Sequence, residues 1–358
     1  MNERWRRVSH QDPCPICGKS DWCTTSADGR TVCCMRIEST RSMKNGGWAH
    51  AVGDRSARRE TPQAAKPVAP TTTDLAAIEK RDAVYRALLA ELGLSDEHRA
   101  HLLNVRRLPA EVLPLFASLP AMDEFTDRRN LMARVRKSAG CSLHDIPGTY
   151  VSAHGWRALV KAPAGILIPA LDPLGRIQAL QVRADQPGPD QPRYTWLSSA
   201  KWPRGCSSGS PVAVWRPSMA QADVWLTEGS LKACIASYRL QACVVAVAGV
   251  AGWRPALETL SALGAKSATI AYDTDFLTKP EVAFHREALS FALERAGYTV
   301  RLASWNACHK GIDDALLAGV QIHTAPATRY QGLRTRGAIT LGRRIATIPA
   351  KEVARCLH

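Results

Sequence analysis

The sequence predicts an α/β protein with a central parallel β-sheet in its second half, preceded by a mixed α+β subdomain and a cysteine-rich N-terminal segment. Three observations support this prediction. Short apolar runs alternate with helical patterns from about residue 220 to residue 320, as they do in parallel sheets. Turn residues surround short apolar strands between residues 147 and 217. Five of the eleven cysteines fall within the first 34 residues.

Composition favours a globular, basic protein. The chain has 358 residues and 46% hydrophobic residues, which is enough for two or three small domains with their own cores. Lys and Arg number 47 against 32 Asp and Glu, giving a formal net charge of +15. An excess of this size favours a polyanionic partner, most often nucleic acid; the alternative is a basic protein without such a partner.

The cellular location is predicted from the absence of export signals. The first ten residues, MNERWRRVSH, are charged and contain no apolar core of a secretory signal. The longest apolar run, ACVVAVAGVAGW, is too short to span a bilayer and predicts a buried strand followed by a turn. We therefore expect a cytoplasmic protein with no membrane partner, whose cysteines are reduced thiols or metal ligands.

The N-terminal cysteines predict a metal-binding module. Cys14 and Cys17 are separated by two residues, the spacing of a knuckle in which two thiolates bind one zinc ion. An Asp28-Gly29 turn then joins two short predicted strands, and further cysteines follow. A knuckle, a hairpin and a second pair of ligands together make up a zinc ribbon, which we assign to residues 1–56.

The second ligand pair is irregular. Cys33 and Cys34 are adjacent, so in a strand they point to opposite faces and only one of them is expected to bind. Cys23, in the first predicted strand, and Cys33 are alternates. Without a metal, these residues would be buried free thiols. We predict that the zinc ligands are Cys14, Cys17, Cys34 and His50.

Four further regions are predicted outside the α/β part. Residues 57–73 are rich in Pro, Ala and Thr and predict a linker. Residues 74–146 form a helical region, where LAAIEKRDAVYRALLAELGL repeats apolar residues at helical spacing. In residues 147–218, the strands GILIPALD and RIQALQVRAD flank a turn at 173–176. Residues 323–358 form a basic C-terminal tail.

Acidic residues end two predicted strands. ADVWLTEG predicts a strand that ends at Glu228, and SATIAYDTD predicts another that ends at Asp273 and Asp275. Residues two apart on an extended chain face the same way, and sites in parallel sheets form beyond the carboxyl ends of strands. If the strands are neighbours, three carboxylates converge, and their repulsion calls for magnesium or manganese. Alternatively, the acids cap helices or line a solvated rim.

A third acidic pair, Asp313 and Asp314, lies in KGIDDALLAG; alone it is a weak signal, because such residues also cap helices. In this order and spacing, LTEGSLKA, AYDTD and KGIDDALLAG resemble the three motifs of a TOPRIM domain, here residues 219–322. Bacterial-type primases, type IA and II topoisomerases and some nucleases share this domain.

The preceding segment favours the primases among these families. GRIQALQVRAD followed by PRYTWLSS resembles the basic segment before the TOPRIM domain of bacterial-type primases, and the N-terminal zinc ribbon matches their order of domains. The resemblance, to primases carried by phages, plasmids and mobile elements, covers most of residues 12–320. Two departures stand out: Lys232 occupies a position where many primases carry an acid, and a second Cys-x-x-Cys pair is missing.

The resemblance implies an enzyme that joins ribonucleotides on a single-stranded DNA template, with a separate replicative helicase as a possible partner. It implies magnesium or manganese bound by Glu228, Asp273 and Asp275, with Asp313 or Asp314 assisting. Nucleotide or template phosphates would be bound by Arg183, Arg193, Lys201 and Lys232. Trp196 and Trp202 are candidates for stacking on bases or for core packing.

Two other functions compete with this interpretation. A TOPRIM-type nuclease would cut nucleic acid with the same acids, but it does not need the basic segment at 176–201. A non-catalytic single-stranded nucleic-acid-binding protein would use the zinc ribbon and the basic tail, and would not need the acids. A topoisomerase is disfavoured, since the chain has no large strand-gating region to hold a catalytic tyrosine.

Overall fold

The computed structural model describes residues 5–37, 39, 41–43, 47–52, 75–188, 191–217 and 221–327. Two compact units are present, one within residues 1–68 and the other within residues 69–358. The predicted linker at 57–73 and the tail beyond residue 327 lie outside the described residues. Among the residues described, none of the helices combines the length and the apolar character needed to cross a membrane.

The N-terminal unit is a small antiparallel sheet of four strands in sequential order. The strands are β1 (Arg6–Arg7), β2 (Thr24–Thr25), β3 (Thr31–Cys34) and β4 (Trp48–Ala51). The predicted hairpin joins β2 to β3, and the Asp28 carboxylate accepts hydrogen bonds from the Ser26 hydroxyl (2.5 Å) and the Arg30 N–H (3.1 Å). The core is little more than Val8, Val32 and buried cysteines. A unit this small generally needs a metal or cross-links for stability.

The second unit begins with helices and an antiparallel sheet. The helices are α1 (Ile78–Leu92), α2 (Asp96–Ala100) and α3 (Phe125–Ala139), with a π-helical turn at His101–Val105 and a 3-10 helix at Ala110–Leu115. The strands are β5 (Ala117–Leu119), β6 (Thr149–Val151), β7 (Arg157–Leu159), β8 (Gly165–Leu171), β9 (Ile177–Ala184) and β10 (Tyr194–Trp196). The sheet order is β10-β9-β8-β5, and β6 and β7 form a separate hairpin.

The hairpin predicted around residues 173–176 is confirmed as β8 and β9. Asp172 organises its turn, because its Oδ1 accepts hydrogen bonds from the N–H groups of Leu174 (2.8 Å) and Arg176 (2.9 Å). Helix α1 binds this sheet through polar contacts as well as packing: the Arg81 guanidinium donates to the Gln178 carbonyl at 2.7 Å.

A six-stranded sheet forms the rest of the second unit. Its strands are β11 (Ala213–Trp215), β12 (Gln221–Glu228), β13 (Ala242–Val247), β14 (Ser267–Ile270), β15 (Thr299–Ser304) and β16 (His323–Pro326), in the order β11-β13-β12-β14-β15-β16. The four central strands are parallel, and the two edge strands are antiparallel to their neighbours. The helices are α4 (Ser230–Leu240), α5 (Pro255–Ala262), α6 (Pro280–Arg295) and α7 (Ile312–Leu317), with a 3-10 helix at Thr274–Leu277.

The predicted α/β organisation with a parallel sheet is therefore confirmed. Strand β13 is buried along its whole length, as expected for a strand covered on both faces, and it is the strand predicted from ACVVAVAGVAGW. The carboxyl ends of β12 and β14 meet at one edge of the sheet, which is where ligand sites form in open α/β sheets.

A buried hydrogen-bond chain connects the two sheets of the second unit. The Trp215 indole N–H on β11 donates to the Ser230 hydroxyl (2.8 Å), which donates to the Pro169 carbonyl on β8 (2.6 Å). Trp215 also stacks on Phe116, with ring centroids 5.9 Å apart. Ser230 is the first residue of α4, so this chain fixes the start of that helix against the antiparallel sheet.

We predict that Ser230→Ala lowers the free energy of unfolding by about 1–3 kcal/mol, because it leaves the Trp215 N–H and the Pro169 carbonyl unpaired in the core. Ser237→Ala is the control: that serine is also buried on α4, but within the described structure its hydroxyl bonds only to the Cys234 carbonyl of the same helix. Urea unfolding of both variants should give the larger loss for Ser230→Ala; equal losses would contradict a linking role.

Candidate active-site cleft and cysteine cluster

Glu228 is the last residue of β12 and lies where the strand turns into α4. Gly229 makes the turn with φ 77°, a left-handed conformation that favours glycine, and its N–H donates to the Val247 carbonyl of β13 at 3.0 Å. Burial raises the pKa of the Glu228 carboxyl, and the nearby Asp273 charge raises it further. The carboxylate is therefore held in an environment that favours a compensating cation.

Asp273 lies beside Glu228 because β12 and β14 are parallel neighbours. The Asp273 N–H points at the Glu228 Oε1 at 3.4 Å. The prediction that the strand continues to Asp275 is wrong, since β14 ends at Ile270 and a 3-10 helix begins at Thr274. The two acids therefore do not share a strand face, and the alternation argument does not apply to them.

Asp275 is turned toward two lysines. Its Oδ2 lies 2.6 Å from Lys279 Nζ and 3.2 Å from Lys310 Nζ. The Lys279 hydrogen bond and then the Lys310 ammonium lower the pKa of the Asp275 carboxyl. Both lysines are largely exposed, so they form a basic rim beside the acidic centre.

The third acidic pair lies in the first turn of α7. Asp313 is buried, and its Oδ2 is 3.4 Å from Arg106 Nη1, whereas its Oδ1 has no hydrogen-bond partner among the described residues. Asp314 is half exposed and lies 3.7 Å from the same guanidinium. Burial raises the pKa of the Asp313 carboxyl because it disfavours the charged form. A nearby cation would stabilise that charged form.

Arg106 is a site residue that the sequence did not reveal. It follows the π-helical turn, over two hundred positions before Asp313 in the chain, and NVRRLP carries no motif. Only the packing of the helical region against the parallel sheet brings it to the acids.

Lys232 lies inside the acidic group rather than at a phosphate-binding rim. It projects from the first turn of α4, and its ammonium forms an ion pair with the Asp273 carboxylate. Burial opposes its charge, but the carboxylates of Asp273 and Asp313 outweigh that effect and raise the pKa of Lys232. The lysine is therefore a resident cation of the acidic group.

A cleft of about 290 Å³ lies between the antiparallel sheet and the carboxyl edge of the parallel sheet. One wall carries Tyr194 and Trp196 of β10 with Gln181 of β9. The opposite wall carries the acids and the turn after β13. Members of this second wall include Glu228, Gly229, Lys232, Val247, Gly249, Asp273 and Asp313, with Arg106 at the same cleft.

Of the four predicted phosphate-binding residues, Lys232 lines this cleft and the other three do not. Arg183 is on the same face of β9 as Gln181 and pairs across the ladder with Tyr194, but it does not line the cleft. Arg193 and Lys201 are exposed and lie outside it. Trp196 lines the cleft, whereas Trp202 packs on Tyr150 with ring centroids 4.6 Å apart.

In the N-terminal unit, four cysteines form a group that could hold a metal ion. Their sulfur atoms lie within 4.8 Å of one another, and those of Cys17 and Cys23 are 3.7 Å apart. Among the described residues this is the one such group of three or more, so the carboxylates of the cleft do not gather as tightly. The members are Cys14, Cys17, Cys23 and Cys34.

His50 was predicted as the fourth ligand, and that prediction is wrong. Its Nε2 lies 2.9 Å from the Ile37 carbonyl, and Cys23 completes the group instead. Cys33, the other alternate, stays outside the group, as expected from the alternation of side chains along β3. The signal for Cys23 was its position immediately before β2, the first strand of the hairpin, which pairs with the strand that carries Cys34.

Backbone N–H groups support negative charge on these sulfurs. The N–H of Met35 points at the Cys23 sulfur (3.4 Å) and that of Ile37 at the Cys34 sulfur (3.3 Å). Burial opposes ionisation of Cys17, but the Lys19 N–H and the neighbouring thiols lower its pKa to about 7. Burial raises the pKa of the Cys14 and Cys23 thiols, so their ionisation would depend on a bound cation.

Comparison with known proteins gives one family and a set of similar folds. A family described as a domain of unknown function, DUF3854, matches residues 214–322, which hold the parallel sheet. No curated protein sequence matches the chain. The solved structures that resemble it are bacterial primase catalytic cores.

Three of these structures illustrate the likeness. The zinc-binding and RNA polymerase domains of the Aquifex aeolicus primase are 16% identical, with a TM-score of 0.49, covering 73% of this chain and 65% of that one. The RNA polymerase domain of the Mycobacterium tuberculosis primase DnaG is 16% identical, with a TM-score of 0.48 and coverage of 78% and 97%. A Pseudomonas aeruginosa DNA primase domain is 16% identical, with a TM-score of 0.47 and coverage of 73% and 92%. At this identity, function has to be inferred from the residues of the site.

Proposed function

We propose that the chain is a DNA primase that synthesises short RNA primers on single-stranded DNA by metal-dependent nucleotidyl transfer, with residues 219–322 as a TOPRIM domain. The observation that carries the proposal is the composition of the cleft. One wall offers aromatic rings on which bases can stack, and the other offers buried carboxylates at the carboxyl edge of a parallel sheet. Nucleotidyl transfer needs both, because the base must be positioned while phosphate charge is neutralised.

The donors in the cleft fit a hard divalent cation. Among the lining residues, Glu228, Asp273 and Asp313 offer carboxylate oxygens, and magnesium and manganese prefer oxygen ligands. The buried Asp313 Oδ1, which has no hydrogen-bond partner in the described part of the chain, and the raised pKa of Glu228 both indicate missing positive charge. Glu228, Asp273 and Asp313 would hold the ion, and Asp275 lies at the rim. A divalent ion held there would supply positive charge to neutralise phosphate and to activate a 3′-hydroxyl.

The basic groups of the site would bind and orient the nucleotide. Lys279 and Lys310 are exposed beside the acids, so a triphosphate can replace the Asp275 contacts that they make. Tyr194 is partly exposed and lines the cleft, where it can stack on a base. Arg183 on β9 and Arg193, immediately before β10, would bind the phosphates of the template.

The cysteine cluster fits a structural zinc ion. In a tetrahedral site with Zn–S bonds of about 2.3 Å, sulfur atoms lie about 3.8 Å apart. The sulfur of Cys23 lies 3.7 Å from that of Cys17 and 4.0 Å from that of Cys34. Four cysteine ligands leave no open position for substrate, so this zinc would stabilise the N-terminal unit rather than act in catalysis.

We predict that Glu228→Gln and Asp273→Asn each reduce oligomer synthesis by at least about 100-fold, because each removes charge that holds the metal. The assay supplies single-stranded DNA, magnesium and labelled ribonucleotides. Asp223→Asn is the control, since Asp223 is exposed on the same strand as Glu228, at the opposite end of the sheet.

Two results would contradict this assignment. An Asp273→Asn protein that melts at a lower temperature but keeps full synthesis would make the acids structural. Magnesium-dependent shortening of the DNA, with no labelled oligomers from wild-type protein, would identify a nuclease.

We predict that freshly purified, reduced protein contains about one zinc ion per chain and that Cys23→Ser loses it. His50→Ala and Cys33→Ser should keep the zinc, because neither side chain belongs to the sulfur cluster. Metal analysis of the three variants checks this, and zinc lost from His50→Ala but kept by Cys23→Ser would reverse the ligand assignment.

We predict that Tyr194→Ala weakens binding of single-stranded DNA by about 1–3 kcal/mol, the usual contribution of one stacked base. Phe291→Ala is the control, since that ring is also exposed but lies on α6, outside the cleft. Fluorescence anisotropy at several salt concentrations should also show affinity falling as salt rises, given the charge of +15. Unchanged affinity of Tyr194→Ala would argue against an aromatic template wall.

A further inference from the structure

Lys232 is the feature of the cleft that its proposed chemistry does not explain. Its side chain is only 17% exposed, and its ammonium is paired with the Asp273 carboxylate. A buried ammonium is costly unless carboxylates surround it, and here Asp273, Asp313 and Glu228 all act on its charge. A lysine that serves to bind substrate phosphate would be more exposed, as Lys279 and Lys310 are.

Gly311 lies next to the Lys232 ammonium and has no side chain to collide with it. The backbone of Gly311 has φ −104° and ψ 158°, which any residue can adopt, so conformation does not require glycine here. A Cβ at this position would lie 3.0 Å from Lys232 Nζ and would press on the Asp313 Oδ1. A side chain at position 311 would occupy space that Lys232 and Asp313 fill, which explains why this residue is a glycine.

The charge balance limits how many metal ions the cleft can accept. The inner carboxylates are those of Glu228, Asp273 and Asp313, and two cations of the chain, Lys232 and Arg106, already pair with them. A first divalent ion would give this group a net positive charge. A second ion would enter against that charge and would compete with the Lys232 ammonium for Asp273.

We propose that Lys232 is a built-in cation that takes the place of a second divalent metal, so that the cleft binds one divalent ion per chain. The proposal rests on the proposed metal-dependent function of the cleft and specifies how many divalent ions that site binds. Gly311 is a positioning residue in this arrangement, because its lack of a side chain leaves the space that Lys232 Nζ occupies.

The experiment counts manganese ions bound to zinc-loaded, full-length protein, using the loss of the free Mn²⁺ signal in electron paramagnetic resonance. The wild-type chain should bind one Mn²⁺ at the cleft, and Asp273→Asn should weaken that binding at least about tenfold. Lys232→Asp should bind two, because the ammonium is replaced by a carboxylate. Lys266→Asp is the matched control: it makes the same change of charge at an exposed position before β14, at the opposite edge of the sheet, and should still bind one.

The outcomes separate this inference from the proposed function. Two Mn²⁺ ions on wild-type protein, both lost in Asp273→Asn, would overturn the role of Lys232 and leave a metal-dependent cleft. If Asp273→Asn does not change Mn²⁺ binding, both the role of Lys232 and the metal-dependent function of the cleft are overturned. One ion on Lys232→Asp would also overturn the role of Lys232. If Lys232→Asp does not fold, the wild-type count decides.

A second measurement tests the coupling between Lys232 and Gly311. Gly311→Ala should lower the melting temperature in the wild-type background, because its Cβ crowds Lys232 and Asp313. The same change in a Lys232→Ala background should lower it less, because one of the crowded groups is gone. Equal losses in the two backgrounds would show that Gly311 does not position the lysine.

Discussion

Parallel pairing of β12 with β14 is the constraint on which the site depends. The pairing aligns Leu226 with Ile270, so Glu228 and Asp273, which leave these strands, meet at the same edge of the sheet. The negative charges of these two carboxylates repel each other, and cationic side chains from neighbouring elements offset the repulsion. Lys232 comes from the helix that follows β12, and Arg106 from the helical region that packs on the sheet.

Cations of the chain stabilise the acidic edge in two layers. The inner layer is buried: Lys232 pairs with Asp273 and Arg106 pairs with Asp313. The low dielectric of the interior strengthens the attraction within each pair. The outer layer is Lys279 and Lys310 on Asp275, where solvent weakens the contacts. Anions from solution can exchange with the outer contacts at little cost, whereas breaking the inner ones would leave a buried charge unpaired.

The cleft exists because two sheets of different kinds are fixed against each other. The hydrogen-bond chain from Trp215 through Ser230 to Pro169 joins the edge of the parallel sheet, the start of α4 and the antiparallel sheet. The same helix start carries Lys232 two residues later. The aromatic wall and the acidic wall are therefore positioned through one short segment, and a shift of Ser230 would change both.

Local pattern was sufficient for most elements of the fold. The β8–β9 hairpin, the buried strand β13 and the turn from β12 into α4 at Gly229 follow from turn residues, apolar runs and one glycine, which act over a few neighbouring residues. The same reasoning found the acids of the three motifs and the Cys14–Cys17 knuckle, since their spacing is local too.

Tertiary structure decided which of these residues meet. Strand β14 ends at Ile270, so Asp275 turns to Lys279 and Lys310 rather than to Asp273. Cys23 rather than His50 completes the sulfur cluster, because hairpin register brings β2 and β3 together. Arg106 reaches Asp313 across more than two hundred residues, and Lys232 becomes an internal cation only because β12 lies beside β14. The sequence determined which chemical groups are available and on which elements they lie; the packing of those elements decided the distances between them, because charge pairing and metal binding depend on separation in space.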